Sequence, residues 1–170
     1  MRFNLKDYLK ISVLYTFASA FPALLQLFVL PIIEGEGRLN AIDFSQMAIA
    51  ESISTFVGTF ILFSMSGAIS RFYYDYLDNK KGLNDLFSSV IIGILFRGLI
   101  IIGLAVILGD YLASFFSQDS LNEFSTYGYG AIVIAINREI IVVTTTLYRN
   151  QKLVTRFVLI NIALAITRTA

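Results

Sequence analysis

Apolar residues in this chain fall in long runs with little period-two or period-3.6 alternation. Half-buried surface helices alternate with one of those periods, whereas helices surrounded by lipid are apolar all round. Crossing a bilayer takes about 20 mostly apolar helical residues. Four stretches reach that length, at 11–33, 44–69, 86–108 and 127–148, and each is expected to form a full transmembrane span. A fifth apolar run begins at Val154 and reaches Ile166, and with the chain stopping at Ala170 it is expected to be a truncated helix over 154–170. The fold expected is all-α, a polytopic transmembrane helix bundle with four full spans plus a truncated fifth.

The N-terminus imitates a secretory signal. Arg2, Lys6 and Lys10 precede an apolar run, and Ala18-Ser19-Ala20 has the small side chains of a cleavage site. The run continues past that site through Leu24, Leu25, Leu27, Phe28, Val29 and Leu30, which fits an uncleaved first span. Pro22 and Pro31 lie in it or at its end and predict a kink.

Composition sharpens the membrane reading: 56% of residues are hydrophobic and 15% charged, and the mean hydropathy is +0.74. Soluble domains hold about 25% charged residues. The formal net charge is only +1, from 13 basic and 12 acidic residues, so nucleic acid is not an expected partner. Cysteine and histidine are absent, which removes disulfides, thiolate and imidazole chemistry and the usual zinc sites; neither a cofactor nor catalysis is expected.

The placement of charge gives an orientation. Arg2, Lys6 and Lys10 precede the first span, Arg71, Lys80 and Lys81 follow the second, and Arg149, Lys152 and Arg156 follow the fourth. The opposite side carries Arg38, and no basic residue lies between Asp110 and Glu123. Short loops rich in Lys and Arg stay in the cytoplasm, so the N-terminus is expected there.

Ionisable residues also sit inside the spans: Glu51 in the second, Arg97 in the third, Arg138 and Glu139 in the fourth. Each costs about 2.5–3.5 kcal/mol at a helix centre and is expected to face a bundle interior or a wet cavity. Small residues share their faces: Ser54, Thr55 and Gly58 with Glu51, Ser89 and Gly93 with Arg97, and Gly128, Ala131 and Ala135 with Arg138 and Glu139. At about 1.5 Å per residue, Arg97 lies roughly 16 Å from the cytoplasmic end of its span and Glu139 roughly 14 Å from its own, so the two are nearly level. Glu51 comes out about 27 Å up, near the outer face. One reading makes Arg97 and Glu139 a structural ion pair between helices. The other places Arg97 or Arg138 in a cavity as a substrate-binding group for an anionic headgroup, with Glu139 and Glu51 as structural or coupling charges.

The second span ends in Ser66-Gly67-Ala68-Ile69-Ser70-Arg71-Phe72-Tyr73-Tyr74. Leu30-Pro31 closes the first span, Leu86-Phe87-Ser88-Ser89 opens the third, and Leu147-Tyr148-Arg149-Asn150-Gln151-Lys152 leaves the fourth. In this order the segments resemble the N-terminal part of polysaccharide biosynthesis proteins, the oligosaccharide flippases of the multidrug/oligosaccharidyl-lipid/polysaccharide exporter superfamily. Phe44-Ser45 departs from the glycine that such proteins often place where the second span begins. The resemblance implies most of one six-helix lobe over residues 1–170, a missing C-terminal lobe, and rocking of two bundles about a central cavity. It implies a lipid-linked oligosaccharide, carried on a polyprenyl pyrophosphate, as cargo and a prokaryotic plasma membrane as the setting; alone, the chain is expected not to move that cargo.

Other readings are a multidrug exporter of the same superfamily, a lipid II flippase, a membrane enzyme and a small subunit acting by helix pairing. Such exporters often use an acidic residue in the first helix, and the first span has none. The lipid II branch would show arginines within the first two spans, where this chain has none. An enzyme would favour loop-borne His, Asp or Glu constellations.

Overall fold

The computed structural model describes residues 5–33, 39–115 and 123–169, and every element assigned among them is a helix. In chain order these are α1 (Leu5–Ile33), α2 (Ala41–Leu62), α3 (Met65–Phe72), α4 (Lys80–Ala113), α5 (Phe124–Asn150) and α6 (Val154–Thr169). Arg2, Arg38 and most of the loop between Asp110 and Glu123, used above for orientation, lie outside the described residues.

Capping fixes several boundaries. The Asn40 side chain accepts from the N–H groups of Ile42 and Asp43 at 2.8 and 3.1 Å, and Asp43 Oδ2 accepts from Asn40 N at 2.8 Å. This capping box starts α2 three residues before the predicted span, because it satisfies amide groups that the helix itself leaves open. Asn79 does the same for α4 by accepting from Gly82 N at 3.0 Å. Between α5 and α6, Lys152 adopts φ 57° and Leu153 N donates to Tyr148 O at 2.9 Å, a Schellman-type turn that stops one helix and lets the next begin.

Three regions are long and apolar enough to cross a membrane: Leu9–Ile32, Lys80–Ala113 and Phe124–Asn150. α1 passes through Pro22 and Pro31 as one helix. α4 has 34 residues, about 51 Å at 1.5 Å each, more than the roughly 30 Å of a hydrocarbon core. The predicted second span is not one helix. It is α2 and α3, bent by 41° at Phe63–Ser64. α6, with its apolar part at Val154–Ile166, is shorter than a span.

Phe56, Phe60, Ile92, Leu99, Val106 and Ile107 are exposed. In water such apolar surface would be a liability, and lipid removes it. Hydroxyls are largely satisfied within their own helices: Ser52, Thr59, Ser89, Thr144 and Thr146 each donate to the carbonyl four residues back.

The chain forms two compact units. In one, α1 packs on α6, with Ala18 of α1 and Phe157 and Ala165 of α6 buried and Tyr15 set edge-on to Phe157 at 4.8 Å. The other holds α2 to α5 as far as Thr146. Its α5 face is a continuous buried stripe of Gly128, Ala131, Ala135, Glu139, Val143 and Thr146, as the small-residue pattern predicts. On α4 the buried face is Val90, Ile94 and Gly98, one residue on from the predicted Ser89, Gly93 and Arg97; Ser89 is exposed and the other two half-buried. Helices approach closely where side chains vanish: a Cβ on Gly98 would lie 2.6 Å from Ile136 Cδ1.

Candidate functional site

The break in the second span gathers the charges. Phe63 (φ 40°, ψ 54°) and Ser64 (φ 61°, ψ 15°) are consecutive left-handed residues, and neither is glycine. Such conformations cost about 1–3 kcal/mol each and persist where the surroundings over-determine them. Phe63 N still bonds Thr59 O at 3.1 Å, but an α-helix leaves its last carbonyls, here those of Phe60, Ile61 and Leu62, without intrahelical amides. Thr55, Gly58, Thr59, Leu62, Phe63, Ser64, Ser66, Arg138 and Glu139 line an open cleft of about 480 Å³ at this point.

Arg138 crosses from α5 to α2. Its Nη1 donates to Glu51 Oε1 at 3.0 Å and to Thr55 Oγ1 at 3.3 Å. The sequence placed Glu51 near the outer face and named no partner for it. The 41° bend shortens the projection of the second span, α5 runs on to Asn150, and the long arginine stem covers the rest. Side-chain exposures of 34% for Arg138 and 64% for Glu51 keep the pair in a partly open setting.

Glu139, one residue on, faces elsewhere. It is 7% exposed and lies on Gly58, where a Cβ would stand 2.5 Å from its Oε1. Among the described residues no hydrogen bond or ion pair reaches its carboxylate, and the expected pair with Arg97 is absent. Level depth did not suffice, because the α4 face that packs inward is that of Gly98 and not of Arg97.

Arg97 instead folds back along its own helix. Its Nε donates to Gly93 O at 3.1 Å, and its Cζ lies 5.9 Å from the Phe63 ring centroid. Its Nη1 is buried and has no hydrogen-bond partner among the described residues. So Arg138 and Glu139 come together at the cleft, Glu51 is tied to it through Arg138, and Arg97 touches it through Phe63. Sequence reasoning missed Phe63 and Ser64; the Ser64, Ser66 and Gly67 cluster inside an apolar run was the available signal, since such residues recur at helix kinks.

A second cleft, of about 540 Å³, lies in the α1–α6 unit and is lined by Tyr15, Thr16, Ser19, Ala20, Arg149 and Phe157.

A double-mutant cycle on Glu51→Gln and Arg138→Gln is expected to give a coupling of no more than about 1 kcal/mol, because the pair is open enough to be screened. A coupling several times larger in unfolding measurements would show that the cleft is dry.

The architecture of the described residues is thus all-helical, with three helices long and apolar enough to cross a membrane and a bent helix pair, α2 and α3, that breaks beside ionisable groups. Comparisons with family models, curated proteins and solved structures give no match.

Proposed function

We propose that this chain is part of a transporter in a prokaryotic plasma membrane, with its N-terminus in the cytoplasm, and that its cargo is an oligosaccharide on a polyprenyl pyrophosphate. The observation that carries the transport reading is the break at Phe63–Ser64, set in one cleft with Arg138 and Glu139, the former paired with Glu51. Irregular backbone at membrane depth is tolerated where it lines a cavity, and broken helices with facing charges are how transporters build midplane sites. Nothing in a purely structural helix pair calls for two strained residues beside three charges.

The choice of cargo rests on the family resemblance and on charge. A pyrophosphate needs donors that lipid cannot supply, and Arg97 holds a buried guanidinium Nη1 without a partner. Arg138, already tied to Glu51, is the second and weaker contact. Glu51 offsets Arg138 when the cleft is empty. Alternating access needs an opposing wall, supplied by further helices or by a second copy.

Binding tests this directly. In nanodiscs, a fluorescent polyprenyl-pyrophosphate sugar is expected to bind and to be displaced by polyprenyl pyrophosphate but not by the matching polyprenyl alcohol. Equal displacement by both would mean that the tail alone is recognised and would contradict the proposal.

A further inference from the structure

The charges in the α2–α5 cleft do not balance. Arg138 is tied to Glu51 at 3.0 Å, and Glu139, a residue only 7% exposed, lines the cleft beside it with no hydrogen bond or ion pair among the described residues. An ionised carboxylate so largely withdrawn from water is costly to hold unless a proton or a cation meets it. The lining is rich in oxygen. Thr55, Thr59, Ser64 and Ser66 bring hydroxyl oxygens to the lining, and α2 ends there in the carbonyls of Phe60, Ile61 and Leu62, the negative end of its dipole. Gly58 gives the carboxylate room against the α2 backbone, since any larger residue would place its Cβ 2.5 Å from Glu139 Oε1. One turn before Gly58, the buried Ser54 Oγ also lacks a partner among the described residues.

We infer that Glu139 is an exchangeable site for a small monovalent cation, a proton or a sodium ion, formed with the oxygen-lined end of α2 at the Phe63–Ser64 break. The site deepens the transport reading and rests on it for its purpose, as the place where an ion gradient enters the cycle. Other charged groups near it are Glu51 on α2, Arg138 on α5 itself and Arg97 on α4, which lies against Phe63; the α3 residue in the lining, Ser66, is uncharged. Because Phe63 belongs to the cleft and also touches Arg97, occupancy of Glu139 and of Arg97 would act on the same strained segment.

The test is labelling of the chain in nanodiscs by dicyclohexylcarbodiimide, which attacks protonated carboxyl groups in apolar surroundings, with peptide mass spectrometry as readout and Glu51 as internal control. Glu139 is expected to label well above Glu51 and to lose the label as pH rises. If the site takes sodium, NaCl at roughly ten times its Kd lowers labelling about tenfold at constant pH relative to choline chloride; a proton site ignores sodium. Gly58→Ala should change the labelling, because its Cβ evicts the carboxylate. Labelling that ignores both pH and sodium would overturn the inference. If no label forms, thermal unfolding decides: a dependence of the native chain's stability on sodium over choline, or on pH, that is lost in Glu139→Gln upholds the site, and an identical response of the two proteins to both overturns it. None of these measurements involves a lipid-linked sugar, so failure here leaves the cargo proposal standing, and failure of cargo binding leaves the cation site standing.

Discussion

Replacing Arg97 by alanine is expected to leave the yield of folded protein near that of the native chain and to weaken binding of a polyprenyl-pyrophosphate sugar about ten- to hundredfold. The first half follows from what Arg97 does not do. Among the described residues it pairs with no carboxylate, so its removal strands no opposite charge there, and it takes out of the interior a guanidinium whose buried Nη1 has no partner among those residues. The second half follows from what a charged hydrogen bond to a phosphate is worth, about 1.5–3 kcal/mol. Arg97→Lys should keep part of the affinity, since the charge survives while the planar fork is lost. Adding Glu139→Ala to Arg97→Ala should rescue nothing, because the two side chains are not a pair. A fall in folded yield that the double variant restores would mean that Arg97 and Glu139 do meet in the membrane, and the geometry above would be wrong.

The largest stability loss is expected at Gly98. A Cβ there would lie 2.6 Å from Ile136 Cδ1 and 2.7 Å from its Cγ1, so Gly98→Ala must push α4 away from α5 or force Ile136 off its rotamer. Overpacking of this kind costs about 1–3 kcal/mol, and Gly98→Leu should cost more. Ile136→Ala clears the space, and Gly98→Ala with Ile136→Ala should regain part of the loss. Unfolding in mixed micelles reads all four proteins. An unperturbed Gly98→Leu would show that the two helices do not touch at this level.

Much of this was legible in the chain. Helix positions followed from apolar run length, and the small-residue stripe on α5 followed because backbones can approach only where side chains are short. Capping at Asn40 and Asn79 moved helix starts outward by several residues, through local hydrogen bonds that hydropathy does not sense. The bend did not follow from hydropathy: an apolar run reads alike whether its helix is straight or broken, and only the Ser64, Ser66 and Gly67 cluster within it pointed to a kink. The ion pair was misassigned for a related reason. Depth along straight helices matched Arg97 with Glu139, but a one-residue rotation of α4 turned Gly98 inward, and the bend with a long side chain brought Glu51 to Arg138.

Transport as proposed requires the break at Phe63–Ser64 to line a water-filled cleft within the membrane. Since the chain has no cysteine of its own, Ser64→Cys can be tested alone against Leu99→Cys, an exposed position on α4. A charged, water-soluble thiol reagent reacts only with a hydrated thiolate. Ser64→Cys is expected to react many times faster than Leu99→Cys in the folded protein in nanodiscs, and equal, negligible reactivity at both positions would contradict the account.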